Sequence, residues 1–128
     1  MKDSSVEGLW SVEIMTQQGP FGIGVLGFIK QRVFGDFFES GRLLGGDTHY
    51  YYSGTYHIEN YGLSASLLIT HYADDKYPIF GSDDTCEISI TATLDHHTNR
   101  DVIELSARTK NGVNDPLIIR IIRRVAAT

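Results

Sequence analysis

Apolar and polar residues alternate along most of the chain. From position 86 to 95 the sequence reads Cys-Glu-Ile-Ser-Ile-Thr-Ala-Thr-Leu-Asp, apolar at every even position and polar at every odd one. A period of two places one face of a strand in a core and the other in water. Comparable runs occupy 9–16, 21–29, 48–58, 63–72, 102–109 and 117–125, separated by Gly, Asn, Asp and Pro clusters that supply turns. No window of a dozen residues carries apolar positions at helical spacing behind a cap. The pattern predicts an all-β chain, a small antiparallel up-and-down barrel of about eight strands, whose closure removes exposed edges. Only 30–44 lacks a clean period. There Val33, Phe34, Phe37 and Phe38 surround Gly35 and Asp36, and an eighth strand, a lid or a short helix are all open readings.

The alternation also predicts register, because a one-residue slip turns every side chain to the wrong face. A four-residue loop at 59–62 pairs Ile58 with Leu63, Tyr56 with Ala65, Gly54 with Leu67, Tyr52 with Ile69 and Tyr50 with His71. That puts Tyr50, Tyr52, Tyr56 and His71 on the inward face. A loop at 95–102 pairs Leu94 with Ile103, Ala92 with Leu105 and Ile90 with Ala107. Pairing Thr109 with Leu117 then sets Ala107 against Ile119, Leu105 against Ile121 and Ile103 against Arg123. Ile118 and Ile122 face outward between Arg120 and Arg124, an apolar stripe of the kind partner surfaces carry, and a homodimer is the expectation.

A chain of 128 residues with 41% hydrophobic and 21% charged residues fits one folded domain over its whole length. Its net charge of −5 argues against direct nucleic-acid binding, which requires a basic surface. No apolar run approaches the roughly 18 residues of a membrane helix. Cys86 is the only cysteine, so no intramolecular disulfide forms. The first eight residues lack the apolar segment of a signal peptide. A cytoplasmic location follows as an expectation.

Candidate chemistry is sparse. Gly8-Leu9-Trp10 resembles the Gly-x-Trp signature of lipocalin-like barrels, in which an Arg from the last strand stacks on the Trp. Arg123 is placed to do so. Inward Tyr50, Tyr52 and Tyr56, with His71, make an interior with polar handles: either a filled core or a cavity for a lipid or small apolar ligand. The five histidines do not converge as metal ligands; only adjacent His96 and His97, near Asp95 and Asp101, form a cluster, which reads as a solvated turn. No nucleophile elbow or Cys-His pair is present, and no cofactor or catalytic activity is expected. Gly22, Gly24 and Gly27 read as strand bends, since no helix follows them to hold a phosphate. Glu59, Asp74 and Asp75 are acidic loop positions suited to a basic partner.

The segment Gly41-Arg42-Leu43-Leu44-Gly45-Gly46-Asp47-Thr48-His49-Tyr50-Tyr51-Tyr52-Ser53-Gly54-Thr55-Tyr56 resembles the Gly-Gly-Asp, aromatic-x-Gly strand of the GrlR-like negative regulators of type III secretion. Gly8–Ser11, Gly22–Gly24 and Ile69–Tyr72 extend the resemblance to most of the chain. It implies a lipocalin-like barrel of about eight strands, a homodimer, and repression of genes by sequestering a transcriptional activator. Where the family carries an acidic activator-binding loop, this chain has Glu59-Asn60-Tyr61-Gly62.

Overall fold

Eight strands form where the alternation requires them: β1 (Gly8–Thr16), β2 (Gly19–Phe34), β3 (Phe38–Gly46), β4 (Tyr50–Glu59), β5 (Gly62–His71), β6 (Thr85–Thr93), β7 (Val102–Thr109) and β8 (Leu117–Ala126). The structure, a computed structural model, describes residues 5–16, 19–35, 38–77, 80–94, 101–109 and 117–126. Each strand pairs antiparallel with the next, and β8 returns to pair with β1, so the sheet closes into a barrel. The aperiodic stretch is the end of a long β2 and the start of β3. A bulge between Lys30 and Arg32 shifts the phase of the alternation there. Beyond it the hairpin leaves the core, with Val33 and Phe34 exposed, Gly35 turning at φ 59°, and the Phe34 and Phe38 rings 5.6 Å apart.

The β4–β5 register is the one expected, from Tyr50 opposite His71 to Ile58 opposite Leu63. In β6–β7 the pair Ile90–Ala107 forms, but the ladder ends at Thr91–Ser106. The expected pairs Ala92–Leu105 and Leu94–Ile103 are not made. The Leu94 amide turns instead to the Tyr61 carbonyl at 2.6 Å, and a surface groove of about 320 Å³ opens between the parted strands. In β7–β8 the expected register is two residues off: Ala107 faces Leu117, Leu105 faces Ile119 and Ile103 faces Ile121. Alternation fixes which face a residue takes but leaves a two-residue slip invisible. The faces are therefore as expected while the partners differ, and Arg123 lies past the β7 ladder.

Inward side chains fill the barrel with Leu26, Phe28, Leu43, Leu67, Ile88, Leu105 and Ile121 among others, all buried. One end is floored by Val6, Trp10 and Leu94, each fully buried; the other is roofed by Phe80, from the segment joining β5 to β6.

Candidate functional site

At the floor, Trp10 donates its indole N–H to the Val6 carbonyl at 2.9 Å, and the Arg123 guanidinium carbon lies 4.6 Å from the ring centre. The expected stack is present. Arg123 also donates from Nη1 to the Glu7 carbonyl at 2.8 Å, from Nη2 to the Ser5 carbonyl at 3.2 Å, and from Nε to Asp101 Oδ1 at 3.0 Å. The role is structural: one guanidinium ties the segment before β1 to the last strand.

Next to it lies a group that sequence reasoning missed. Glu39 is 8% exposed and its Oε2 accepts hydrogen bonds from Ser5 Oγ at 2.9 Å and the Tyr56 hydroxyl at 2.7 Å. Burial first, then the Glu39 carboxylate, holds the Tyr56 phenol well above its ordinary range. The signal was partial: an inward Tyr56 needs an acceptor, but only the β3–β4 register, with Gly41 opposite Tyr56, places Glu39 on the same face.

At the roof, Asp47 organises the β3–β4 turn. Its Oδ1 accepts from the His49 and Tyr50 amides at 2.7 and 2.8 Å, its Oδ2 accepts from the Tyr52 hydroxyl at 2.5 Å, and its backbone carbonyl accepts from the Tyr72 hydroxyl at 2.6 Å. The aspartate of the Gly-Gly-Asp pattern is thus a turn builder. Burial, then Asp47, raises the Tyr52 phenol as strongly as Tyr56. The Tyr50 hydroxyl accepts from the Tyr77 amide at 2.8 Å, and the Tyr77 hydroxyl meets His49 Nδ1 at 2.7 Å. His71 is half-buried at the rim, against the Tyr50 ring and 2.7 Å from the Asp74 carbonyl through Nε2, rather than inside the barrel.

The phenols therefore do not converge on one cavity. Tyr50 and Tyr56 are committed at opposite ends, and Tyr52 alone lines an interior cavity of about 30 Å³. Drug-sized ligands occupy roughly 300–1,000 Å³, so this space holds no lipid while Phe80 is in place. The acidic positions also stand apart. Glu59 is exposed at the floor end, while Asp74 and Asp75 are exposed at the roof end. His96, His97 and Asp95 lie outside the described residues. Among the described residues no three metal-ligating side chains come together.

The outer face is unequal. A ladder row runs outward-facing from Val125 to Leu9, Gly27, Leu44, Ser53 and Leu68 across β8, β1, β2, β3, β4 and β5. Its apolar members are 57%, 40%, 39% and 40% exposed for Val125, Leu9, Leu44 and Leu68, and exposed Val25, Ile29 and Tyr51 flank them. On β6 and β7 the outward residues are polar, Glu87, Ser89, Thr91, Glu104 and Arg108 among them, apart from Val102, 39% exposed at the start of β7. Ile118 is exposed on β8, as expected, but Ile122 is half-buried, and Arg120 beside them pairs with Glu13 at 3.7 Å. The Ile118–Ile122 stripe is therefore shorter than the Val125–Leu68 row. An apolar interior with a one-sided apolar exterior is the reverse of a lipid-embedded barrel, which is apolar all round its outside. Among the described residues no helix is long and apolar enough to cross a membrane.

No protein-family model and no curated protein matches the chain. Among solved structures it is similar to a redesigned β-barrel at 14% identity, with 94% of each chain covered and a TM-score of 0.59. That likeness shows the fold: a small closed antiparallel β-barrel.

Proposed function

We propose that the protein is a non-catalytic binding barrel that works through its outer surface, dimerising on the β8–β1–β2–β3 face and capturing a transcriptional activator in the manner of the GrlR-like regulators it resembles. The observation that carries the reading is the exposed row Val125, Leu9, Leu44 and Leu68, continuous across hydrogen-bonded neighbours and flattened by Gly27 and Ser53 between them. Contiguous apolar surface of this kind marks protein contact. The net charge of −5 favours a basic partner, and an interior cavity of about 30 Å³ leaves little room for a drug-sized ligand.

The test is the paired substitution Leu9→Glu with Leu44→Glu. Wild type is expected to sediment as a dimer, and the variant as a monomer with unchanged circular dichroism. A variant that remains dimeric, with Ile118→Glu and Ile122→Glu breaking the dimer instead, would move the interface to the other stripe. Wild type that is monomeric at every concentration removes the dimer from the proposal.

A further inference from the structure

We propose that the seam between β6 and β7 is a strand-addition site, which takes an extended peptide segment of another protein and pairs with its main chain. The ladder of this seam stops at Thr91–Ser106, although β6 runs on to Thr93 and β7 begins at Val102. The groove of about 320 Å³ lies over that unpaired half, with Thr91, Ala92 and Thr93 on one bank and Glu104, Leu105 and Ser106 on the other.

Two hydrogen bonds show where the main-chain groups of the banks point. In an antiparallel sheet one residue turns both its N–H and its C=O to one neighbouring strand, and the next residue turns both to the other. The Leu94 amide bonds the Tyr61 carbonyl on the β5 side, so Ala92 also turns to β5 and Thr93 turns to β7. The Arg123 amide bonds the Asp101 carbonyl, so Ile103 turns to β8 while Val102 and Glu104 turn to β6. Thr93, Val102 and Glu104 thus aim donors and acceptors into the groove, where no ladder pair receives them. An open edge of this kind is a template for another strand, and proteins commonly guard it with Lys or Pro. Neither residue occurs in 91–93 or 102–106, where Thr91, Thr93 and Val102 are β-branched instead.

The inner layer selects the side chain. Cys86, Ile88, Ile90 and Leu94 are buried, whereas Ala92, on the same face, is half-buried. Its expected partner Leu105 is not opposite it, so solvent reaches the inner layer here. A strand lying in the groove alternates its side chains. One of its residues therefore points in at Ala92, and the neighbours on either side point out among Thr91, Thr93 and Glu104, all exposed. The fitting segment is polar, apolar, polar, with a medium aliphatic residue such as valine at its centre. The seam lies between the two strands that the Val125–Leu68 row leaves out, and it acts independently of that row.

The probe is the peptide Lys-Thr-Val-Thr-Val-Thr-Lys, blocked at both ends and added to the intact isotope-labelled protein. Before it is added, the Thr93 and Glu104 amides should exchange with solvent roughly tenfold or more faster than those of Thr91 and Ser106, which the ladder holds. With peptide, the amide resonances of Thr93, Val102 and Glu104 should shift saturably and their exchange should slow. The same peptide methylated on the main-chain nitrogens of both valines and the threonine between them keeps every side chain but loses those donors. It should bind roughly tenfold or more weakly. Ala92→Leu, which fills the inner place, should weaken binding to a similar degree. Thr93 and Glu104 amides that exchange as slowly as Thr91 in the free protein would overturn the proposal, because the seam is then closed, and this reading needs no variant to fold. So would resonances that do not move at millimolar peptide, which leave the seam to water only. A methylated peptide that binds as well as the parent, or a folded Ala92→Leu that binds as wild type does, would overturn it too. The Leu9→Glu, Leu44→Glu variant should bind the peptide as wild type does, which separates the seam from the outer-face reading.

Discussion

Arg123 stacks on Trp10 at 4.6 Å while the same guanidinium holds the carbonyls of Ser5 and Glu7. The two side chains lie on paired positions of the first and last strands, so the contact sits on the seam where the barrel closes. Closure and floor are one interaction. Trp10→Ala should cost about 3–5 kcal/mol from lost burial. Arg123→Ala should cost about 1–3 kcal/mol, since it removes the stack and the donor to two part-buried carbonyls. The losses should not add: a double-mutant cycle by urea unfolding is expected to return a coupling of about 1 kcal/mol or more. Strict additivity would mean that the stack contributes nothing and that the indole is held by packing and its hydrogen bond to Val6.

Two buried phenols should make the fold less stable at alkaline pH. Burial, with the neighbouring carboxylates of Asp47 and Glu39 as the next cause, raises Tyr52 and Tyr56 above their ordinary value of 10.0. Below that value both folded and unfolded chains keep these protons and stability is unaffected. As pH rises past it, the unfolded chain releases them and the folded chain does not, so stability falls. Urea midpoints should hold steady to about pH 9 and drop above about pH 10. The Tyr52→Phe, Tyr56→Phe variant should show a shallower drop. An equal slope in both proteins would place the alkaline transition in other groups.

Asp47 illustrates a motif residue whose work is local. Its carboxylate accepts two amides of its own turn and one phenol hydroxyl. Asp47→Ala should therefore destabilise by about 2–4 kcal/mol, with three donors losing their acceptor. Asp47→Asn keeps an oxygen for the turn amides and should lose less than half as much by thermal unfolding. Equal losses would show that the negative charge, rather than the turn bonds, carries the effect.

What the sequence made legible was parity. The alternation in 86–94 and the bulk of Tyr50, Tyr52 and Tyr56 sorted residues by face, and the β4–β5 ladder followed pair for pair. Phase was less visible: β7 and β8 pair two residues away from the expected match because both registers keep the same faces inward. The β2–β3 hairpin was opaque because a bulge resets its period and its tip has no core to face. Glu39 was hidden for a different reason. A carboxylate at an inward position contradicts the pattern unless its partners are known, and these come from Ser5 and Tyr56, 34 and 17 residues away in sequence. The Trp10–Arg123 stack was readable because a Gly-x-Trp start and an inward Arg in the last strand meet wherever an even-stranded barrel closes.

The inward glycines give the sharpest test of how tightly the sheet is bent. Gly45 stands opposite Tyr52 and Gly41 opposite Tyr56, so each large phenol faces a residue with no side chain. A Cβ on Gly45 would lie 2.0 Å from the Val25 carbonyl oxygen, and one on Gly41 would lie 2.0 Å from that of Ile29. Both obstacles are backbone of β2, which no side-chain rotation relieves. Gly27 is the control: it lies on the outward row, and its Cβ would sit 3.4 Å from the Leu44 carbonyl oxygen, at the near edge of ordinary contact. Gly45→Ala should therefore destabilise by about 3 kcal/mol or more, at or above the usual range for overpacking. Gly27→Ala should stay within about 1 kcal/mol of wild type, because a small steric cost opposes the lower unfolded-state entropy of alanine. Chemical unfolding of the two variants side by side decides the matter. Near-equal stabilities would mean that β2 and β3 can separate enough to admit a methyl group, and that the close approach is not what fixes glycine at position 45.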